Sequence, residues 1–163
     1  MYLTTFNKNS EENLNSTELV ADVVANVMGE LGYSRIALSS EALNETSVKV
    51  DVVMNDIKGY SPDMVTLCFA AQFKKGSADK DAMQKYADVR AAPLKKHGGK
   101  VLVCGVLGRS PIWDFDGIEL IQFPAQENLQ ALMGDPDYSG SPEVKEASAV
   151  FGGNFSLSAV KVV

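Results

Sequence analysis

Lys95-Lys96-His97-Gly98-Gly99-Lys100 holds the chain's only histidine. A histidine at a helix C-terminus gains from the helix dipole when charged, and can act as a general base near neutral pH. The same residue can instead cap the last carbonyls beside a double-glycine stop. Arg90 and Tyr86 lie about two and three turns earlier on one helical face, placed to line a pocket with His97. Packing for Tyr86 and a surface salt bridge for Arg90 are the plainer alternatives. Trp113, with Asp114 and Asp116, falls in a loop able to close over a pocket mouth, or to serve as a dimer contact. The candidate site is therefore Tyr86, Arg90, His97 and Trp113, with His97 as the catalytic candidate.

Other chemistries are not encoded. One histidine, two cysteines set in apolar runs (Cys68, Cys104) and no close group of acids fall short of a zinc site. Neither metal nor organic cofactor is expected. Gly105-Val106-Leu107-Gly108-Arg109 is too poor in glycine for a phosphate loop, and no Gly-x-Ser-x-Gly elbow occurs. The cysteines read as buried free thiols on neighbouring strands. Net charge is −6 with pI near 4.8, which argues against nucleic acid and anionic membrane as partners. Met1 to Lys8 lacks the long apolar core of a signal peptide and no run is long enough to span a membrane, so a cytoplasmic location is the default expectation.

The elements that would position these residues follow from periodicity. Leu19, Val20, Val23, Val24, Val27, Met28 and Leu31 form an i, i+3, i+4 stripe, which predicts a helix from Asn15 to Gly32. Strands are expected over 35–40 and 47–54, the second with Val48, Val50 and Val52 alternating against Lys49 and Asp51. Lys58-Gly59-Tyr60-Ser61-Pro62 marks a boundary between an N-terminal α/β extension (1–60) and a second domain (61–163), and the acidic excess lies before it. Beyond it the pattern sharpens. A strand runs over 64–73, and a helix from about Asp79 to His97 shows Met83, Tyr86, Ala87, Arg90, Leu94 and His97 on one face. Pro93 predicts a kink or short break in that helix. Strands over 101–106 and 118–123, helices over 126–133 and 142–151, and a last strand over 155–160 complete the order.

That order is βαββαβ, the ferredoxin-like arrangement of an α+β fold with an antiparallel sheet. Its helices cover one sheet face. The other needs a cover, either a second copy or residues 1–60, whose β-α-β-β pattern could be a degenerate half-repeat of the same motif.

Residues 64–163 resemble a family of small dimeric α/β-barrel proteins known as domain of unknown function 1330. The resemblance rests on Tyr86 with Pro93, on Lys96-His97-Gly98-Gly99-Lys100, on Ile118 to Pro124 ending in Phe-Pro, and on Asp135-Pro136-Asp137-Tyr138. Leu132-Met133 stand where the family usually has an aromatic residue. The resemblance implies a homodimeric α/β barrel, whose wider kin include cofactor-free monooxygenases, isomerases and cyclases. Three functions are then expected in turn: a protein binding a small apolar or aromatic metabolite between sheet and helices, a cofactor-free enzyme of cyclase, isomerase or monooxygenase type using His97 as base, or a protein-interaction module.

Overall fold

The computed structural model describes residues 19–26, 33–39, 47–75, 79–108 and 114–162. Seven strands are described: β1 (Leu19–Asn26), β2 (Tyr33–Ser39), β3 (Ser47–Asn55), β4 (Val65–Phe73), β5 (Lys100–Leu107), β6 (Gly117–Phe123) and β7 (Phe151–Val162). The helices are α1 (Lys80–Lys96), α2 (Gln126–Gly134), α3 (Pro136–Ser139) and α4 (Pro142–Ser148), with a 3-10 turn at Ile57–Gly59. From β4 onward the chain is a mixed α+β unit of ferredoxin-like order: β5-β6-β4-β7, antiparallel at every pairing.

The N-terminal strands continue that sheet. β3 pairs with β5, β1 pairs with β7, and β2 joins them, antiparallel to β1 and parallel to β3, so the sheet closes into a barrel. The sheet face for which a second copy was one expected cover is covered by β1–β3 of the same chain. The helix expected over 15–32 is corrected by β1. The stretch Leu19-Val20-Ala21-Asp22-Val23-Val24-Ala25-Asn26 satisfies a helical stripe, but its valines are stiff at χ1 and fit a pleated surface better. The remainder of that helix, 15–18 and 27–32, lies outside the described residues.

Burial follows the two faces of the sheet. Cys68, Leu102, Val103, Leu107, Ile118, Leu120 and Val50 pack together inside the barrel. The outer face carries Leu67, Phe73, Cys104, Ile121 and Phe123, which meet Met83, Ala87 and Leu94 of α1, Leu132 of α2 and Ala147 of α4. Every residue of β6 is buried, as a strand covered on both sides requires. Cys68 and Cys104 are free and buried, but β6 separates their strands and they face opposite sides, which corrects the neighbouring-strand reading. Burial pushes the Cys68 thiol up to about 12 and the Cys104 thiol upward as well, so both are unreactive.

α1 starts where expected. The Asp79 side chain accepts from Ala82 N–H at 2.6 Å as N-cap. Pro93 lies inside α1 without breaking it. It falls in the last turn, where its missing N–H forfeits one helical bond and nothing beyond it has to be re-registered. The helix ends in a Schellman turn: Gly98 has φ +74, Gly98 N–H donates to Lys95 O at 3.0 Å and Gly99 N–H to Leu94 O at 2.8 Å. The helix expected over 142–151 ends at Ser148, and Phe151, Gly152 and Gly153 belong to β7. Among the described residues no helix is long and apolar enough to cross a membrane.

Candidate functional site

Arg90 projects from the buried face of α1 toward β6 and is 3% exposed. There it meets Glu119, which is fully buried. Arg90 Nη1 donates to Glu119 Oε1 at 2.5 Å, and Arg90 Nε donates to the Tyr138 hydroxyl on α3 at 3.0 Å. The guanidinium also sits over the Tyr86 ring, with Cζ 4.2 Å from its centroid. Charge, hydrogen bond and ring face together hold one cation in a dry layer; a desolvated cation–π contact alone contributes about 2 kcal/mol. Burial works against the Arg90 charge, yet Glu119, Tyr86 and Tyr138 outweigh it and hold the guanidinium protonated. Burial likewise drives the Tyr86 phenol upward, so it stays neutral despite Arg90.

The pair is unevenly satisfied. Guanidinium and carboxylate usually meet through two parallel bonds. Here the Arg90 fork is split between Glu119 and Tyr138, and Glu119 Oε2 has no hydrogen-bond partner among the described residues. A buried acceptor left open costs roughly 1–3 kcal/mol, more when charged.

Aromatic rings run from this pair to the surface. Tyr86 meets Phe151 edge-on at 4.8 Å, Phe151 meets Phe69 at 5.5 Å, and Phe69 meets Phe155 at 6.1 Å. Phe155 is 61% exposed, and Leu157 beside it is 49% exposed. Large apolar side chains therefore reach solvent on the outer face of β7, next to the helix layer.

His97 belongs to a second cluster. As the C-cap of α1 it places Nε2 2.7 Å from Asp135 Oδ2. Lys96 Nζ donates to the same oxygen at 2.8 Å and to Asp137 Oδ2 at 3.2 Å. Asp135 is buried and is the N-cap of α3, its Oδ1 accepting from Asp137 N–H at 2.9 Å. Lys96, His97 and that N–H, in descending order, hold the Asp135 carboxyl well below the ordinary carboxylate range. α3 thus carries both Tyr138, bonded to Arg90, and the cap residue Asp135, bonded to His97.

The expected site residues therefore divide. Tyr86 and Arg90 come together, and Arg90 is buried, which corrects the surface-salt-bridge alternative. His97 is drawn to Asp135. Trp113 lies outside the described residues. Asp114 and Asp116 tie their loop to β4: Gln72 Nε2 donates to Asp114 O and Oδ2, and Phe73 N–H donates to Asp116 Oδ2 at 2.8 Å. Glu119 was missed, though Gly117-Ile118-Glu119-Leu120-Ile121 contains its signal. A charge amid a strand of that kind must be buried and needs a partner, and Arg90 was the cation on the opposing face. Among the described residues no group of three or more His, Cys, Asp or Glu side chains is placed to hold a metal ion.

No family model matches the chain, and no curated protein matches it in sequence. Solved structures do match in fold. An anthrone oxidase-like protein is similar over 96% of this chain and 84% of its own, at 14% identity and a TM-score of 0.56. A protein of unknown function from Rhodopseudomonas palustris matches over 61% of this chain and 82% of its own, at 15% identity and a TM-score of 0.40. The methylated form of that protein gives 14% identity and a TM-score of 0.42, over 61% of this chain and 81% of its own.

Proposed function

We propose that the chain binds a small apolar or aromatic molecule between the sheet and its helices, beside Tyr86 and Arg90. The observation that carries this reading is the aromatic run from exposed Phe155 through Phe69 and Phe151 to Tyr86, ending at a buried ion pair. Apolar walls with a few convergent polar groups are the usual make-up of a ligand site. The fold shared with an anthrone oxidase-like protein supports the architecture of such a site. Calorimetric titration with naphthalene-class probes tests the reading. Binding is expected in the native chain and should weaken several-fold in Phe155→Ser, a change at an exposed position that leaves the core intact. Heats of dilution alone for every aromatic probe would remove the proposal.

A second reading is a cofactor-free enzyme of cyclase, isomerase or monooxygenase type with His97 as base. It is favoured by the 2.7 Å contact to Asp135, which fixes the imidazole as a base needs to be fixed. With Nε2–H donated to Asp135, Nδ1 keeps the lone pair that would accept a proton. Turnover lost in His97→Ala, with its circular dichroism and melting temperature retained, would single out this reading. Unchanged turnover would discard it.

A further inference from the structure

We infer that the ligand is a hydroxyarene, a flat aromatic ring bearing a hydroxyl group, and that Glu119 Oε2 accepts its proton in a hydrogen bond. The inference rests on the binding reading above and names the ligand class for that site. Three features of the pair point to it. Glu119 is fully buried, so bulk water does not complete its shell. Its Oε1 is taken by Arg90 Nη1 at 2.5 Å, whereas Oε2 has no partner among the described residues. Arg90 reaches Glu119 through Nη1 alone, while its Nε donates to Tyr138 at 3.0 Å, so the guanidinium does not close a two-bond fork on the carboxylate. A carboxylate oxygen in this state calls for one further donor.

The surroundings select the donor. A cationic donor such as an ammonium would face Arg90, whose charge is fixed. A neutral O–H meets no such repulsion. Phe69, Tyr86 and Phe151 offer ring faces and edges beside the pair, so the hydroxyl is best carried on an aromatic ring. A methyl ether or plain hydrocarbon of the same shape has no proton to give and would bury Oε2 still unpaired. Discrimination by one hydrogen bond to a charged group is about tenfold to a hundredfold in Kd.

The test uses the unaltered chain and three probes of one shape: naphthol, its methyl ether, and naphthalene, each titrated by calorimetry. Naphthol should bind tenfold tighter or better than the other two. Equal affinity of naphthol and its ether overturns the hydroxyl assignment while leaving aromatic binding in place; absence of binding by all three overturns the binding reading itself. Glu119→Gln supplies an independent arm. Its amide oxygen can keep the Arg90 bond while the NH2 occupies the open position, so the preference should pass from naphthol to the ketone tetralone, which only accepts. A retained naphthol preference in folded Glu119→Gln contradicts the inference. Should that variant not fold, the three-probe series on the native chain still decides.

Discussion

Removing the Arg90 side-chain charge as Arg90→Met should destabilise the chain strongly, and removing Glu119 with it should not. Both side chains are out of solvent, at 4% and 0% exposure, so neither can be rescued by water. In Arg90→Met, Glu119 is left buried without a counter-ion, and the cost of such a break is about 3–5 kcal/mol. The total stability of a domain of this size is about 5–15 kcal/mol, so about a fifth of it or more is at stake. At about 2–4 °C per kcal/mol, the melting temperature should fall by about 6–20 °C. Glu119→Leu alone strands the guanidinium and should cost a similar amount. The double variant Arg90→Met, Glu119→Leu removes both desolvation penalties and fills the space with apolar atoms, so it should sit near the parent or above it. Urea unfolding of the four chains, with the slope checked for constancy, reads the coupling directly. Two outcomes would refute the reasoning: an Arg90→Met chain within about 1 kcal/mol of the parent, or a double variant worse than either single one.

Acid stability should depend on Asp135. Its carboxyl titrates below the ordinary value because Lys96, His97 and the Asp137 N–H stabilise the ionised form in the folded state. A group with a depressed folded pKa adds stability that is complete above about pH 5 and is lost as pH falls through the ordinary carboxylate value toward the lower folded one. Asp135→Asn should therefore flatten the acid limb of a stability-against-pH profile and lower stability at neutral pH; an unaltered acid limb would contradict the cap geometry. Gly98→Ala should lower the melting temperature, since it puts a side chain at φ +74 with its Cβ 3.1 Å from Pro124 Cγ. The left-handed penalty alone is about 1–2 kcal/mol. Gly134→Ala, with nothing within 4 Å of the added carbon, should match or exceed the parent, and a drop equal to that of Gly98→Ala would show that backbone handedness is not the cause.

The elements from β4 to β7 were legible because each strand or helix there carries its own local signal. Of the expected face, Met83, Tyr86, Ala87, Arg90 and Leu94 are the buried side of α1 while His97 is its partly buried C-cap, and Gly98-Gly99 does end the helix. β1 was not legible, because Leu19, Val20, Val23 and Val24 fit a helical stripe as well as a strand. Its pairing with β7 joins Val23 to Val162, nearly the whole chain apart, and no local pattern reports such a contact. The pairing partner of Arg90 was hidden for a related reason. Glu119 and Arg90 lie far apart in sequence, and the charge on β6 becomes informative only once that strand is known to be covered on both faces. Gln122 is the parallel case on the inner face. It is fully buried, and donates to Ser61 O at 2.7 Å and Thr66 Oγ1 at 2.8 Å while accepting from Ser61 N–H at 3.0 Å. Its polar groups are all met, which marks it as a structural clamp and leaves Glu119 as the unbalanced one of the two.

Closure of the barrel decides where a ligand could lie. A ferredoxin-like sheet has two free edges, here β5 and β7, and exposed edges invite pairing with other chains. β3 takes the β5 edge and β1 takes the β7 edge, so the same strands that remove both edges also cover the inner face. The interior that results is filled by Cys68, Leu102, Ile118 and Leu120. Ile57 and Tyr60 pack against this cluster, and their segment is held by Asp56 N–H donating to Leu102 O and by Lys100 Nζ donating to Gly59 O. Phe115 packs against it as well, and its loop is bonded to β4 and β5 through Asp116. Among the described residues this inner cluster leaves no buried side-chain polar atom without a partner. The helix-covered face does offer one, in Glu119 Oε2, and has apolar rings leading to it from solvent. The strands that close the sheet on its inner side thereby leave its one unpartnered buried acceptor, among the described residues, on the outer one.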